Sequence, residues 1–323
     1  MPHPLFLFRW GLPGRGLVLL GLLWLLALGC GPGSPPSPGA SPAPGAAVPR
    51  RIVSLAPSIT EMLFDLGLGD RVVGVTSFCD YPPEAADRPH VGGLLDPNPE
   101  AILALEPDLV VLFDHHAVAR RALETLGIPL LVVQGDTLEQ ILEAMLRLAE
   151  RGGCAERGLE RVAALRRRIE AVAAMPAPQP PPRVLVSIGR TLGGGRLQEA
   201  YVAGNDGFFS ELIRLAGGRN ACPSSTIRFP LVSPEGILEM RPEVIIELAA
   251  DLERLGLAAE DVQREWSSLS DVPAVARGRV HVFTEDYVTV PGPRLVLLLE
   301  QMAAAVRQGS AAPAGAPPPG GAP

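Results

Sequence analysis

The sequence is short of the residues on which most enzyme chemistry is built. Its four cysteines lie far apart and are too few for a disulfide-stapled scaffold. Beyond the first residues, histidine occurs at His90, His115, His116 and His281, with no compact metal-ligand spacing. There is no GxGxxG, no GK[ST], no GxSxG nucleophile elbow and no HExxH, so nucleotide-phosphate binding and the commoner hydrolases are not supported. RTLGGGRLQ at 190–198 is rich in glycine but lacks those spacings, and reads as a turn or cleft loop. Cys79 has no histidine beside it in sequence to make it a nucleophile. A net charge of -7, a pI near 5.4 and scattered basic residues argue against nucleic acid. The one dense stretch, RVAALRRR at 161–168, suits the solvated face of a helix.

Long apolar runs are also missing. LVLLGLLWLLAL, residues 17–28, falls short of a membrane span. Arg9 and Arg15 precede it and Gly29-Cys30 follows, the order expected of an export signal over 1–29. The segment resembles a bacterial lipoprotein signal, which implies cleavage after Gly29 and lipidation of Cys30; the other reading makes Cys30 merely the residue after an anchor. Residues 30–49 carry almost nothing that can pack and are expected to form an extended, disordered tether. The tail at 309–323 has the same character. Export would expose Cys79, Cys154 and Cys222 to oxidation. Their odd number is compatible with a Cys154–Cys222 bridge or with three inert side chains.

Between these ends, strands and helices alternate as in an α/β lobe. RIVSLA (51–56) is a strand, and Ser58 with Glu61 has the spacing of a capping box opening the next helix. VVGVTSF, DLVVLF and LLVVQG supply further strands of a modest parallel sheet. A helical pattern at 155–175 ends at PAPQPPP, and the alternation then restarts with RVLVSIGR. The expected organisation is an N-terminal lobe at 50–153, a connecting helix at 154–176 and a C-terminal lobe at 182–308.

One phrase occurs twice. NPEAILALEPDLVV (98–111) and SPEGILEMRPEVII (233–246) share Pro99/Pro234, Glu100/Glu235, Ile102/Ile237, Leu103/Leu238 and Pro107/Pro242, with Asp108 and Glu243 both acidic. A polar cap, a proline and an acid make a good helix start, which accounts for each copy alone. Repetition across two lobes asks for more. With the apolar positions facing inward, Glu100 and Glu235 project outward and can pair with basic residues of a symmetric, dimeric partner.

RIVSLAPSITEMLFDLGLGDRVVGVTSFCDYPPEA with VGGLLDPNPEAILALEPDLVV, and FFSELIRLAGGRN with FPLVSPEGILEMRPEVII, resemble the two lobes of the substrate-binding proteins of vitamin B12 and iron-complex ABC importers. The resemblance covers nearly all of 50–308. It implies two similar α/β lobes joined by one long helix, as in class III periplasmic binding proteins, with the ligand cleft between them. It further implies no enzyme activity and no cofactor of the protein's own. The transported ligand would be cobalamin, or alternatively haem or a ferric siderophore. Glu100 and Glu235 would dock a monomeric binding protein onto the arginines of a permease dimer served by an ATPase. The protein would stand in the cell envelope, lipid-anchored and facing the periplasm or the exterior.

Aromatic residues make up 5% of the chain, so their positions are informative. Phe78, Tyr81, Phe113, Phe229 and Tyr287 fall near strand ends or in their loops, and Tyr201 begins the second lobe's first long connection. Phe208 and Phe209 share a helix start in which at least one must pack inward. In vitamin B12-binding members of the family, tryptophans lining the corrin pocket match Phe113 and Phe229, and a third matches Leu94. Asp80, Arg190, Asp206, Arg228, Asp286 and Arg294 are the polar candidates, all of them but Arg294 assigned to ligand contact. No metal ligands are assigned, and His115-His116 are placed on an exposed loop; a divalent-metal binder is the remaining alternative.

Overall fold

The computed structural model describes residues 47–308 apart from Ser225 and Asp251. The export signal, Cys30, residues 30–46 of the tether and the tail at 309–323 lie outside the described residues.

Hydrophobic, largely β-branched runs form the strands, and they are covered on both faces, as parallel sheets require. The first lobe comprises β1 (Ile52–Ser54), α1 (Pro57–Asp65), β2 (Val72–Val75), α2 (Pro83–Ala86), α3 (Pro99–Ala104), β3 (Leu109–Phe113), α4 (Ala117–Thr125), β4 (Leu130–Val133) and α5 (Leu138–Arg151). Its sheet is wholly parallel, in the order β2-β1-β3-β4. Helix α6 (Ala155–Ala173) then leads to the second lobe. That lobe comprises β5 (Arg183–Arg190), β6 (Ala200–Val202), α7 (Phe208–Leu215), β7 (Arg219–Asn220), β8 (Leu231–Val232), α8 (Pro234–Met240), β9 (Val244–Leu248), α9 (Leu252–Leu255), α10 (Ala259–Trp266), α11 (Pro273–Ala276), β10 (Val280–Phe283) and α12 (Leu295–Arg307).

The second sheet runs β10-β9-β5-β6-β8, with β7 also on β5. Strands β10, β9 and β5 pair in parallel, but β6 pairs antiparallel with both β5 and β8, so the sheet is mixed rather than parallel throughout. The link from Arg190 to Ala200 contains no helix, and a parallel return would need a crossover.

The repeated phrase folds the same way twice. Asn98 accepts a hydrogen bond from the Ala101 amide at 3.0 Å, and Ser233 one from the Gly236 amide at 3.4 Å. Each helix begins with its proline and is followed by a residue in the left-handed region before the second proline, Glu106 at φ 45° and Arg241 at φ 47°. Asp108 then accepts from the Arg50 and Arg51 amides at 2.7 and 2.9 Å, while Glu243 accepts from the Arg183 amide at 3.0 Å. The bonds are returned, from the Asp108 amide to the Arg51 carbonyl and from the Glu243 amide to the Arg183 carbonyl. The second acid of each copy thus fastens its strand to the start of the central strand. The first acid of each, Glu100 or Glu235, is exposed.

The capping box expected at Ser58 is absent. Pro57 takes the first helical position, Ala56 stands at the cap, and Ser58 is buried within α1. Glu61 instead reaches across to the second lobe, where its carboxylate accepts from Arg294 Nε and Nη2 at 3.0 and 2.7 Å. Cys79, Cys154 and Cys222 are all free, so the Cys154–Cys222 bridge is not formed.

One hydrophobic core runs through both lobes. It joins Ile59, Met62 and Met145 of the first lobe to Leu212, Val296 and Leu299 of the second through Val162, Leu165, Ile169 and Val172 of α6. Arginines brace the same junction. From α6, Arg161 pairs with Asp65, Arg166 with Glu139 at 2.6 Å and Arg168 with Glu300 at 2.9 Å. The chain contains no lysine, so these cations are planar forks able to grip a carboxylate with two nitrogens.

Candidate ligand-binding cleft

In parallel sheets, strand ends aim their loops to one side, and ligands settle beyond the carboxyl ends. Here Phe113 ends β3, Gly135 and Asp136 follow β4, and Ile188 lies near the end of β5. Facing them are Phe208 and Phe209 at the start of α7, the Arg228-Phe229 segment, Thr289 and Pro291. Together they enclose a cavity of about 250 Å³ contributed by both lobes.

Its lining is largely aromatic. The Phe208 and Phe209 rings are 4.1 Å apart, and Phe209 meets Phe229 edge-on at 6.3 Å. On the opposite wall Phe113 stacks with His115 at 5.2 Å and 13° between planes. The turn that closes on Phe113, whose carbonyl accepts from the His116 amide, brings His115 into the cleft. His116 sits behind it, buried, and neither ring nitrogen has a hydrogen-bond partner among the described residues. Burial, with His115 adding to it, lowers the His116 pKa to about 4 and keeps that ring neutral at neutral pH.

Arg228 and Asp136 meet across the opening in a two-point ion pair at 2.5 and 2.7 Å. Beside it the Phe208 amide donates to the Asp136 carbonyl at 2.9 Å. The same Arg228 and Asp136 wall a second, polar groove of about 700 Å³ that includes Asn205, Asp206, Ser210 and Glu211. The pair is therefore a partition between an apolar chamber and a polar one. Another depression, of about 600 Å³, lies where α1, α6 and α12 meet. Its charges largely satisfy one another through Asp65–Arg161, Arg168–Glu300 and Glu61–Arg294. That makes it a poorer place for cargo.

The Arg228 segment is held by a glycine. The Gly204 amide donates to the Arg228 carbonyl at 2.7 Å, and a Cβ there would run into the Ile227 carbonyl oxygen and stand 2.9 Å from that of Arg228. Gly204→Ala should push residues 227–229 outward and cost about 1–3 kcal/mol, the usual price of overpacking. Chemical denaturation against the wild type checks this, and an unchanged midpoint would contradict it.

Of the residues picked out in the sequence, Phe113, Arg228 and Phe229 converge on the cavity, and Asp206 lines the polar groove. Phe78, Asp80 and Tyr201 are exposed and Leu94 is packed half-buried against the shared core; none lines the cavity. Tyr81, Asp286 and Tyr287 gather around Arg294 instead. The Tyr81 ring lies 3.6 Å and the Tyr287 ring 5.3 Å from its guanidinium, and Asp286 accepts from it at 2.7 Å. Arg190 is the clearest correction. Its side chain is fully buried between Glu247 and Glu265, so it presents nothing to a ligand. The sequence reading passed over Asp136 and Ile188, and it placed His115-His116 on an exposed loop. His115 in fact lines the cavity and His116 is buried. The available signal was position, just beyond the ends of β3 and β4 for His115 and Asp136, and near the end of β5 for Ile188.

A family model described as periplasmic binding protein matches residues 52–287. The chain belongs to this family. This periplasmic binding protein is 30% identical over 263 residues to the vitamin B12-binding protein of Photorhabdus laumondii subsp. laumondii, covering 79% of this chain and 87% of that one. Among solved structures, the periplasmic vitamin B12-binding protein of Vibrio cholerae superposes with a TM-score of 0.68 at 26% identity, covering 80% of this chain and 97% of that one. The periplasmic heme-binding protein of Roseiflexus sp. RS-1 in its apo form gives 0.66 at 28%, covering 81% and 99%. The two-lobed α/β architecture is that of the periplasmic binding proteins, whose work is ligand capture and not catalysis. Membership also puts this binding protein in the periplasm or facing the exterior.

Proposed function

We propose that this protein is the cargo-binding subunit of an ABC importer and that its cargo is a metal-centred tetrapyrrole, cobalamin first and haem second. The observation that carries the reading is the interlobe cleft, an aromatic chamber separated from a polar groove by one ion pair. A planar macrocycle with polar substituents needs both kinds of surface. The chamber alone, at about 250 Å³, is smaller than ordinary ligand sites, which run to roughly 300–1,000 Å³. Breaking Arg228–Asp136 joins it to the groove. Arg228 is 42% and Asp136 33% exposed, and pairs so open to solvent are worth about 1 kcal/mol or less. The relatives named for vitamin B12 and heme support the same class of cargo.

In this reading Cys30 carries a lipid anchor and the tether lets the two lobes reach the membrane as a monomer. Glu100 and Glu235 dock on basic residues of the permease dimer, and an ATPase drives release. Arg228, the one arginine lining the cavity among the described residues, is already paired, so the chamber is poorly suited to a highly anionic ferric siderophore.

Titration with cyanocobalamin, haemin and a ferric siderophore, followed by absorbance and calorimetry, tests this. A Kd for cyanocobalamin or haemin of about 1 μM or tighter is expected, close to -8 kcal/mol. Binding of the siderophore alone, or of divalent ions alone, would overturn it.

A further inference from the structure

The mechanism of capture leaves His115 unused, although it lines the chamber together with Phe113, Phe209 and Phe229. We infer that His115 is an axial ligand for the metal at the centre of the cargo's macrocycle, and so selects cargo with an exchangeable axial position. The inference rests on the tetrapyrrole reading and deepens it.

The first ground is ligand number. Among the described residues no group of three or more histidines, cysteines or acids is arranged to hold a bare ion. A free divalent metal needs three or four protein donors. A metal already held by the nitrogens of a macrocycle needs only one. A single imidazole in an aromatic chamber fits the second case and not the first.

The second ground is orientation. Stacking against Phe113 and edge contact with His116, at 4.5 Å between ring centres, hold the imidazole from two sides. Asp114 Oδ1 lies 3.8 Å from Nδ1, too far for a hydrogen bond, and crowds that edge of the ring while Nε2 occupies the other. The side chain is still 53% exposed, so it can be reached by a ligand without unpacking the lobe.

The step is a simple ligand exchange. The neutral imidazole nitrogen gives its lone pair to the metal, a bound water leaves as water, and no proton or electron changes hands. Haemin and aquocobalamin both offer such a water. Cyanocobalamin, with cyanide on one face and its own base on the other, does not, and is held by packing and hydrogen bonds alone.

The test compares wild-type protein with His115→Ala against haemin, metal-free protoporphyrin IX and cyanocobalamin. Wild type with haemin should show the absorbance and electron-spin signature of nitrogen ligation. His115→Ala should lose that signature and weaken haemin binding about tenfold or more, and added imidazole should restore the spectrum. Protoporphyrin IX and cyanocobalamin affinities should stay within about twofold. Identical haemin spectra for the two proteins would overturn the ligation alone, as would an equal loss of protoporphyrin IX, which marks a packing role. If wild type takes up none of the three, the tetrapyrrole reading falls and the ligation with it.

Discussion

Arg190→Met should destabilise the protein by about 3–5 kcal/mol while leaving ligand affinity nearly unchanged. The guanidinium lies inside the second lobe, with Nε 3.2 Å from Glu247 and Nη1 2.5 Å from Glu265. All three side chains are buried, at 0%, 1% and 4% exposure. Trp266 Nε1 also donates to Glu247, and its ring lies 5.7 Å from the guanidinium. Glu265 accepts from the Gly195 amide and so pins the glycine-rich loop. Two acids share one cation, so its removal strands both. Burial already pushes the Glu247 carboxyl above its ordinary value while Arg190 pulls it down. Without the arginine, Glu247 should take up a proton, which limits the loss without cancelling it. For a folded region of this size the unfolding midpoint should fall by about 10 °C. Thermal and urea unfolding, with cargo titration alongside, measure both sides of the claim. Normal stability with lost binding would return Arg190 to the cleft.

On the proposed docking role, reversing both acids, Glu100→Arg with Glu235→Arg, should reduce uptake about 100-fold and leave cargo affinity within about twofold. Each acid stands in the first turn of a short helix behind a proline, exposed, and each precedes by eight residues the acid that fastens the strand. The Glu235 carboxyl is held below its ordinary value by its own amide and by Ser233, so it stays ionised. Exposed charges at a contact rim chiefly set encounter rate and register. Single alanine changes should therefore be mild, whereas a double reversal turns attraction into repulsion at both points. Uptake by cells or proteoliposomes, with calorimetry on the purified variant, separates the effects. Undiminished uptake would remove the docking role, and lost cargo binding would place these acids elsewhere in the mechanism.

Local grammar was readable where local forces decide. Asn98-Pro99 and Ser233-Pro234 start helices because a cap and a proline act within a few residues. Ser58 failed as a cap because Pro57 already held the first helical position. Arg190 looked like a cleft residue because it ends a strand, but its partners come from β9 and from α10, far along the chain. Tyr81 and Tyr287 were expected at a ligand for the same reason. Their ring faces are instead turned toward Arg294, a cation supplied by the opening of α12. Phe113 and Phe229 converge because both strand ends and the Gly204 anchor aim them inward, and only the first of those is visible in sequence. His115 needed the turn after β3 to be seen.

The core that threads α6, with the arginine braces around it, runs unbroken from one lobe into the other. If those ties hold the empty protein as they hold the loaded one, its transporter meets much the same face in both states. Vacant copies should then act as decoys that occupy the entry port without delivering anything, and uptake measured against rising amounts of cargo-free protein should fall.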